Sequence, residues 1–108
     1  MNESERKRLE ADGWKIGDTQ EFLGLSDEEM AYIDLRIALS DAIRARRTEG
    51  GVTQAALAAR LGSSQSRVAK MEARDPSVSL DLLVRALLAT GATVLDIAEA
   101  IAPERRAA

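Results

Sequence analysis

Five times in 108 residues a hydroxyl side chain stands directly ahead of an apolar run with helical spacing, at Ser26, Thr53, Ser64, Ser79 and Thr93. A serine or threonine there accepts a hydrogen bond from a free backbone N–H of the first helical turn, so each marks a helix start. Ser26 is reinforced by Glu29, which completes a capping box, and by Leu25 and Met30, placed as a hydrophobic staple. Val52 with Leu57 and Val78 with Leu83 repeat the staple. The predicted helices run from Ser26 to about Glu49, Gln54 to Leu61, Gln65 to about Ala73, Leu80 to Thr90 and Val94 to Ala102. Gly50, Gly51, Gly62, Gly91 and Pro103 close them. No alternating apolar pattern predicts a strand, so the expected fold class is all-α.

A chain of this length supports one core, with 26–102 as the folded domain, 1–25 as an N-terminal extension and 103–108 as a tail. Residues 2–12 are helix-permissive, and Trp14 to Leu25 reads as an irregular arm pinned by Trp14, Ile16, Phe22 and Leu23. In the first domain helix, Met30, Ile33 and Ile37 form one apolar stripe and Leu35, Leu39, Ala42 and Ile43 another. The apolar residues Leu87, Leu88, Val94, Leu95, Ile97 and Ile101 of the last two helices suit either core or a dimer interface.

Cysteine and histidine are both absent, which removes the commonest metal ligands, the usual general base and the thiol nucleophile. No nucleophile–base constellation or glycine-rich phosphate loop stands out, so neither an enzyme nor a cofactor is expected. No apolar run is long enough for a membrane span or a signal-peptide core, and the expected location is the cytoplasm.

The net charge of −3 conceals a segregation. Residues 1–43 carry five basic and eleven acidic groups, residues 44–74 seven basic and two acidic, and residues 75–108 three basic and five acidic. The basic block is Arg44, Arg46, Arg47, Arg60, Arg67, Lys70 and Arg74, a local concentration of the kind phosphate neutralisation requires. It coincides with VTQAALAARLGSSQSRVAKME, an eight-residue helix, a three-residue turn opened by Gly62, and a second helix. Ala58 is small where the two helices cross, and Leu57, Leu61, Val68 and Met71 face a shared core. On the outward face of the second helix, Gln65, Ser66, Arg67 and Lys70 are side chains able to bond base edges in a major groove.

Over residues 36–101 this pattern resembles the XRE family of repressors, which includes phage repressors and Cro proteins. Gln54, Ala58, Gly62, Val68 and Glu72 stand where the family places Gln, Ala, Gly, a β-branched residue and Glu. The resemblance implies a five-helix, lambda-repressor-like helix-turn-helix domain that binds an operator in double-stranded DNA as a homodimer. Gln65, Ser66 and Lys70 would then face bases, Arg67 either bases or the backbone, and Arg47, Thr53, Gln54, Ser64 and Arg74 phosphates. Arg47 and Glu72 would form a structural ion pair. The family commonly has Gly or Asn just after the second helix, where this chain has Ala73, Arg74 and Asp75.

The N-terminal stretch GWKIGDTQEFLGLSDEEMAYIDLRIAL is similar, more narrowly, to the extension of HigA-type antitoxins. That likeness implies repression of a shared operon together with neutralisation of a RelE/HigB-like toxin, an mRNA endonuclease. Trp14, Ile16, Phe22, Leu23 and Tyr32 are its candidate toxin contacts. A stand-alone XRE regulator without a toxin partner is the alternative.

Overall fold

The computed structural model describes residues 20–102. The expected helix at 2–12, the side chains of Trp14 and Ile16, and the tail at 103–108 lie outside the described residues. The chain divides into two compact units, Met1–Ile33 and Asp34–Ala108. Among the described residues the ordered elements are helical throughout: α1 (Asp27–Glu49), α2 (Gln54–Leu61), α3 (Gln65–Glu72), α4 (Leu80–Ala89) and α5 (Val94–Ile101), with residues 20–23 helical as well.

In the first unit, the helical turn at 20–23 closes through the Leu25 N–H on the Gln20 carbonyl at 2.9 Å. The irregular, pinned arm expected here is corrected on two counts. Residues 20–23 are helical, and Phe22 and Leu23 are 88% and 59% exposed, so neither side chain pins the segment. The Ser26 hydroxyl accepts from the Glu29 N–H and the Glu29 carboxylate accepts from the Ser26 N–H, each at 3.1 Å, so the capping box starts α1. Asp27, Glu28 and Glu29 occupy the first turn of α1 and Arg46 and Arg47 the last, each sign complementing the helix dipole at its own end.

The core of the second unit gathers Leu39 and Ile43 of α1, Leu57 and Ala58 of α2, Val68 and Met71 of α3, and Leu83, Ala86 and Leu87 of α4. Leu35, Ala42 and Leu61 pack at its margin. The two-stripe expectation for α1 is met on one side, since Leu39 and Ile43 are sealed, whereas Met30 and Ile37 are only half-buried and Ile33 is exposed. Thr53, Ser64, Ser79 and Thr93 each accept a backbone N–H from the first turn of the helix they precede. Thr93 adds a second capping box, because the Asp96 carboxylate accepts from the Thr93 N–H at 2.8 Å.

Between α2 and α3 the chain reverses within Gly62, Ser63 and Ser64. Gly62 takes a left-handed φ of 63°, and the Ser63 N–H bonds the Ala58 carbonyl at 2.9 Å. The same manoeuvre ends α3, but on a residue with a side chain: Arg74 has φ 61°, and the Asp75 N–H returns to the Lys70 carbonyl at 3.0 Å. A β-carbon is disfavoured in that conformation. The guanidinium of Arg74 is nevertheless anchored, its Nε and Nη2 donating to the two Asp41 carboxylate oxygens of α1 at 3.0 and 2.7 Å.

Two outcomes check this packing. Leu57 is fully buried, so Leu57→Ala should destabilise the fold by about 3 kcal/mol in urea titrations; a loss well below 1 kcal/mol would show that the site collapses freely. Arg74→Gly should melt at a higher temperature than Arg74→Ala, since both lose Asp41 and only glycine removes the backbone strain. Equal melting temperatures would mean that the turn is unstrained.

Candidate nucleic-acid interface

α3 has two contrasting sides. Val68 and Met71 are fully buried, one turn apart on the face that meets the core. Gln65, Ser66, Arg67 and Lys70 are all exposed and project from the first two turns. An eight-residue helix has room for this division because successive side chains advance by about 100° around its axis. Arg67 and Lys70 form no ion pair among the described residues, so both cations remain available to an anionic partner. They also border a cleft of about 220 Å³, completed by Ser77, Val78, Ser79 and Leu82 from the turn and helix start that follow.

The orientation of α3 is fixed from its far end. Glu72, in its last turn, is almost enclosed, with a side chain 5% exposed, and Arg47 from the end of α1 is 14% exposed. The pairing is bidentate: Arg47 Nε donates to Glu72 Oε2 and Nη2 to Oε1, the latter at 2.8 Å. Arg47 Nη1 donates to the Val52 carbonyl at 2.9 Å, and Gln54 Nε2 reaches Glu72 Oε1 at 3.2 Å. One carboxylate thus joins α1, the loop before α2, the first residue of α2 and the end of α3. Burial pushes the Glu72 carboxyl up, but the hydrogen bonds from Arg47 and Gln54 and the charges of Arg47 and Arg44 outweigh it, leaving the group below the usual carboxylate range. Its bond to Glu72 raises Arg47 further, against the opposing effect of burial.

The residues expected at phosphates divide by what already occupies them. Thr53 Oγ1 accepts from the Ala56 N–H at 3.0 Å, and Ser64 Oγ accepts from the Arg67 N–H at 3.2 Å while lying 3.2 Å from the Ser66 hydroxyl. Gln54 and Arg47 are held by Glu72, and Arg74 is held by Asp41. Ser77 was not marked by the sequence reading. Its closeness to Arg67 and Lys70 arises from the turn after α3, where the Ser77 N–H donates to Asp75 Oδ1 at 2.8 Å, and no local pattern signals it. Asp75 is itself held below the usual range by the Ser77 N–H and hydroxyl, with Lys70 and Arg36 adding to the effect.

Two short helices joined by a glycine-led turn, the second buried along one side and polar along the other, define a helix-turn-helix unit. The helix-turn-helix family matches the chain over residues 43–100, more than half of it. The chain belongs to this family, in its XRE branch, which is a family of DNA-binding domains. No curated protein and no solved structure matches it. Among the described residues no helix is long and apolar enough to cross a membrane.

The Glu72 junction has a pH signature. A carboxyl whose folded pKa is depressed binds protons less readily folded than unfolded, so its contribution is present above the unfolded value and is lost as pH falls through the folded one. Stability of the native chain should therefore fall as pH drops through and below the ordinary glutamate range. Glu72→Gln should flatten that part of the profile, and Glu72→Ala should cost roughly 2 to 3 kcal/mol at neutral pH by stranding Arg47. Parallel acid-unfolding profiles for native and Glu72→Gln chains would contradict the assignment.

Proposed function

We propose that the protein is a sequence-specific transcription regulator that inserts α3 into the major groove of an operator in double-stranded DNA. The observation that carries this reading is the division of α3, with Gln65, Ser66, Arg67 and Lys70 turned outward and Val68 and Met71 sealed behind them. Gln65 is suited to adenine, Arg67 and Lys70 to guanine, and Ser66 to either. The cleft bordered by Arg67 and Lys70 offers two cationic groups to a neighbouring phosphate. Thr53, Gln54 and Ser64 stand at helix N-termini, where backbone N–H groups favour an anion. Arg47 and Arg74 act at phosphates only to the extent that Glu72 and Asp41 leave their guanidinium edges free. A single α3 contacts few base pairs, so two copies related by a dyad, their reading helices about 34 Å apart, would read a palindromic site as a repressor dimer.

A second, finer reading concerns the first unit, where Phe22 is 88% exposed and Tyr32 47%. Exposed aromatics in an acidic segment suit a basic protein partner, and a HigA-type antitoxin role would supply one in an mRNA endonuclease toxin. Phe22→Ala should then weaken capture of a toxin encoded beside the gene by at least about tenfold while operator affinity holds. Equal capture by both chains would remove this role from Phe22.

For the main reading, Arg67→Ala combined with Lys70→Ala should lower operator affinity by roughly a hundredfold. If both cations meet phosphates, the plot of log affinity against log salt should also flatten by about two. Helicity should be unaltered, because both side chains are exposed. Unchanged affinity and slope would contradict the site.

A further inference from the structure

A second group of cations gathers away from α3. Arg46 and Arg47 in the last turn of α1, Arg60 in the last turn of α2 and Thr90 at the end of α4 line one pocket of about 40 Å³, with Gly50 and the buried Leu57 beside them. No acidic side chain lines it, and it shares no residue with α3 or with the cleft beside Arg67 and Lys70. A β-carbon at Gly50 would stand 3.3 Å from the Arg46 carbonyl and 3.7 Å from Val52 Cγ2, tight against two residues of the wall, and glycine leaves that space open.

The three guanidiniums are unequally occupied. Arg47 is met by Glu72 on its far edge, and Asp96 stands 3.8 Å from Arg46 Nη1. Arg60 is exposed and forms no ion pair among the described residues. A guanidinium carries five N–H donors. The hydrogen bonds already made engage three on Arg47, one on Arg46 and none on Arg60. Thr90 is a positioning residue: its hydroxyl donates to the Leu87 carbonyl while accepting from Arg46 Nε at 3.1 Å, which holds that guanidinium at the pocket.

We propose that this pocket binds the phosphate group of a small molecule. Three cations from two helices leave an excess of positive charge and unused donors around one space, an arrangement that suits a tetrahedral oxyanion with several acceptor oxygens. Size selects the same class. About 40 Å³ holds roughly three waters, enough for one oxyanion head, whereas whole small-molecule sites run from about 300 Å³ upward; the rest of the ligand therefore stays outside, beyond Arg60. Arg47 belongs both to this pocket and to the Glu72 junction, so an occupant reaches the residue that anchors α3. Binding itself requires no DNA.

NMR of the labelled full chain tests it, following backbone amides and arginine Nε–H groups during titration with inorganic phosphate and then glycerol 3-phosphate, with chloride holding ionic strength constant. Saturable shifts should centre on Gly50, Arg60 and Thr90. Arg60→Ala should raise both dissociation constants at least about tenfold, with circular dichroism unaltered because the side chain is exposed. Arg85→Ala, which removes an exposed cation outside the pocket, should leave both constants unchanged. Shifts that grow linearly without saturating, or an Arg60→Ala chain that binds as tightly as the native one, would overturn the proposal. So would an Arg60→Ala chain that loses affinity for the upstream duplex by the same factor, since the pocket would then belong to the DNA backbone. Arg60-dependent phosphate binding by a chain that binds no duplex would support the site and count against the regulator reading alone.

Discussion

The arrangement of the helix-turn-helix depends on one carboxylate. Glu72 is almost enclosed, and an acid so placed is tolerated only if its charge is met by partners of good geometry. Arg47 supplies two bonds and Gln54 a third, and through them the ends of α1 and α3 and the start of α2 share one anchor. Apolar contacts at Leu57, Val68 and Met71 bring α2 and α3 together, but such contacts are not directional. The ion pair adds direction, holding from its far end the rotation of α3 that the burial of Val68 and Met71 also requires.

Other polar ties of α1 to the rest of the second unit follow the same pattern. Arg47 reaches Glu72, Asp41 receives Arg74, Arg36 donates to the Asp75 carbonyl at 3.2 Å, and Arg46 reaches Thr90 and Asp96. The basic segment recognised in the sequence is therefore only in part a reserve of free cations. Arg46, Arg47 and Arg74 are engaged in holding helices, while Arg67 and Lys70 stay clear on α3. Charge distribution identified the region of interest, but the structure separates fastening cations from those left for an anionic partner.

The helices were legible in the sequence because their signals are local: a capping hydroxyl, an acid three residues on, a staple and a closing glycine all fall within one element. Ser26 with Glu29 and Gly62 with its left-handed turn show this directly. The departure from Gly or Asn at the turn of Arg74 was visible, but its bond to Asp41, 33 residues earlier, was not legible. Phe22 and Leu23 misled because an aromatic and a leucine near a domain are usually read as anchors, whereas both are exposed. The final helices left core and interface undecided because VLDIAEAI is apolar on most of its circumference. The capping of Asp96 onto Thr93 and its approach to Arg46 determine the outcome, with Leu87 in the core and Val94 and Leu95 in water.

The central claim is that Glu72 holds α3 with Gln65, Ser66, Arg67 and Lys70 facing a DNA groove. Its most direct test is backbone amide and side-chain methyl NMR of the isotopically labelled chain, titrated with a duplex carrying the region upstream of its gene. The account predicts that the largest shifts cluster at residues 64–70 and at Ser77 beside them, while Val68 and Met71 side-chain methyls remain protected and the Glu72 junction keeps its resonances. Shifts confined to the other side of the second unit, with residues 64–70 unmoved, would contradict it.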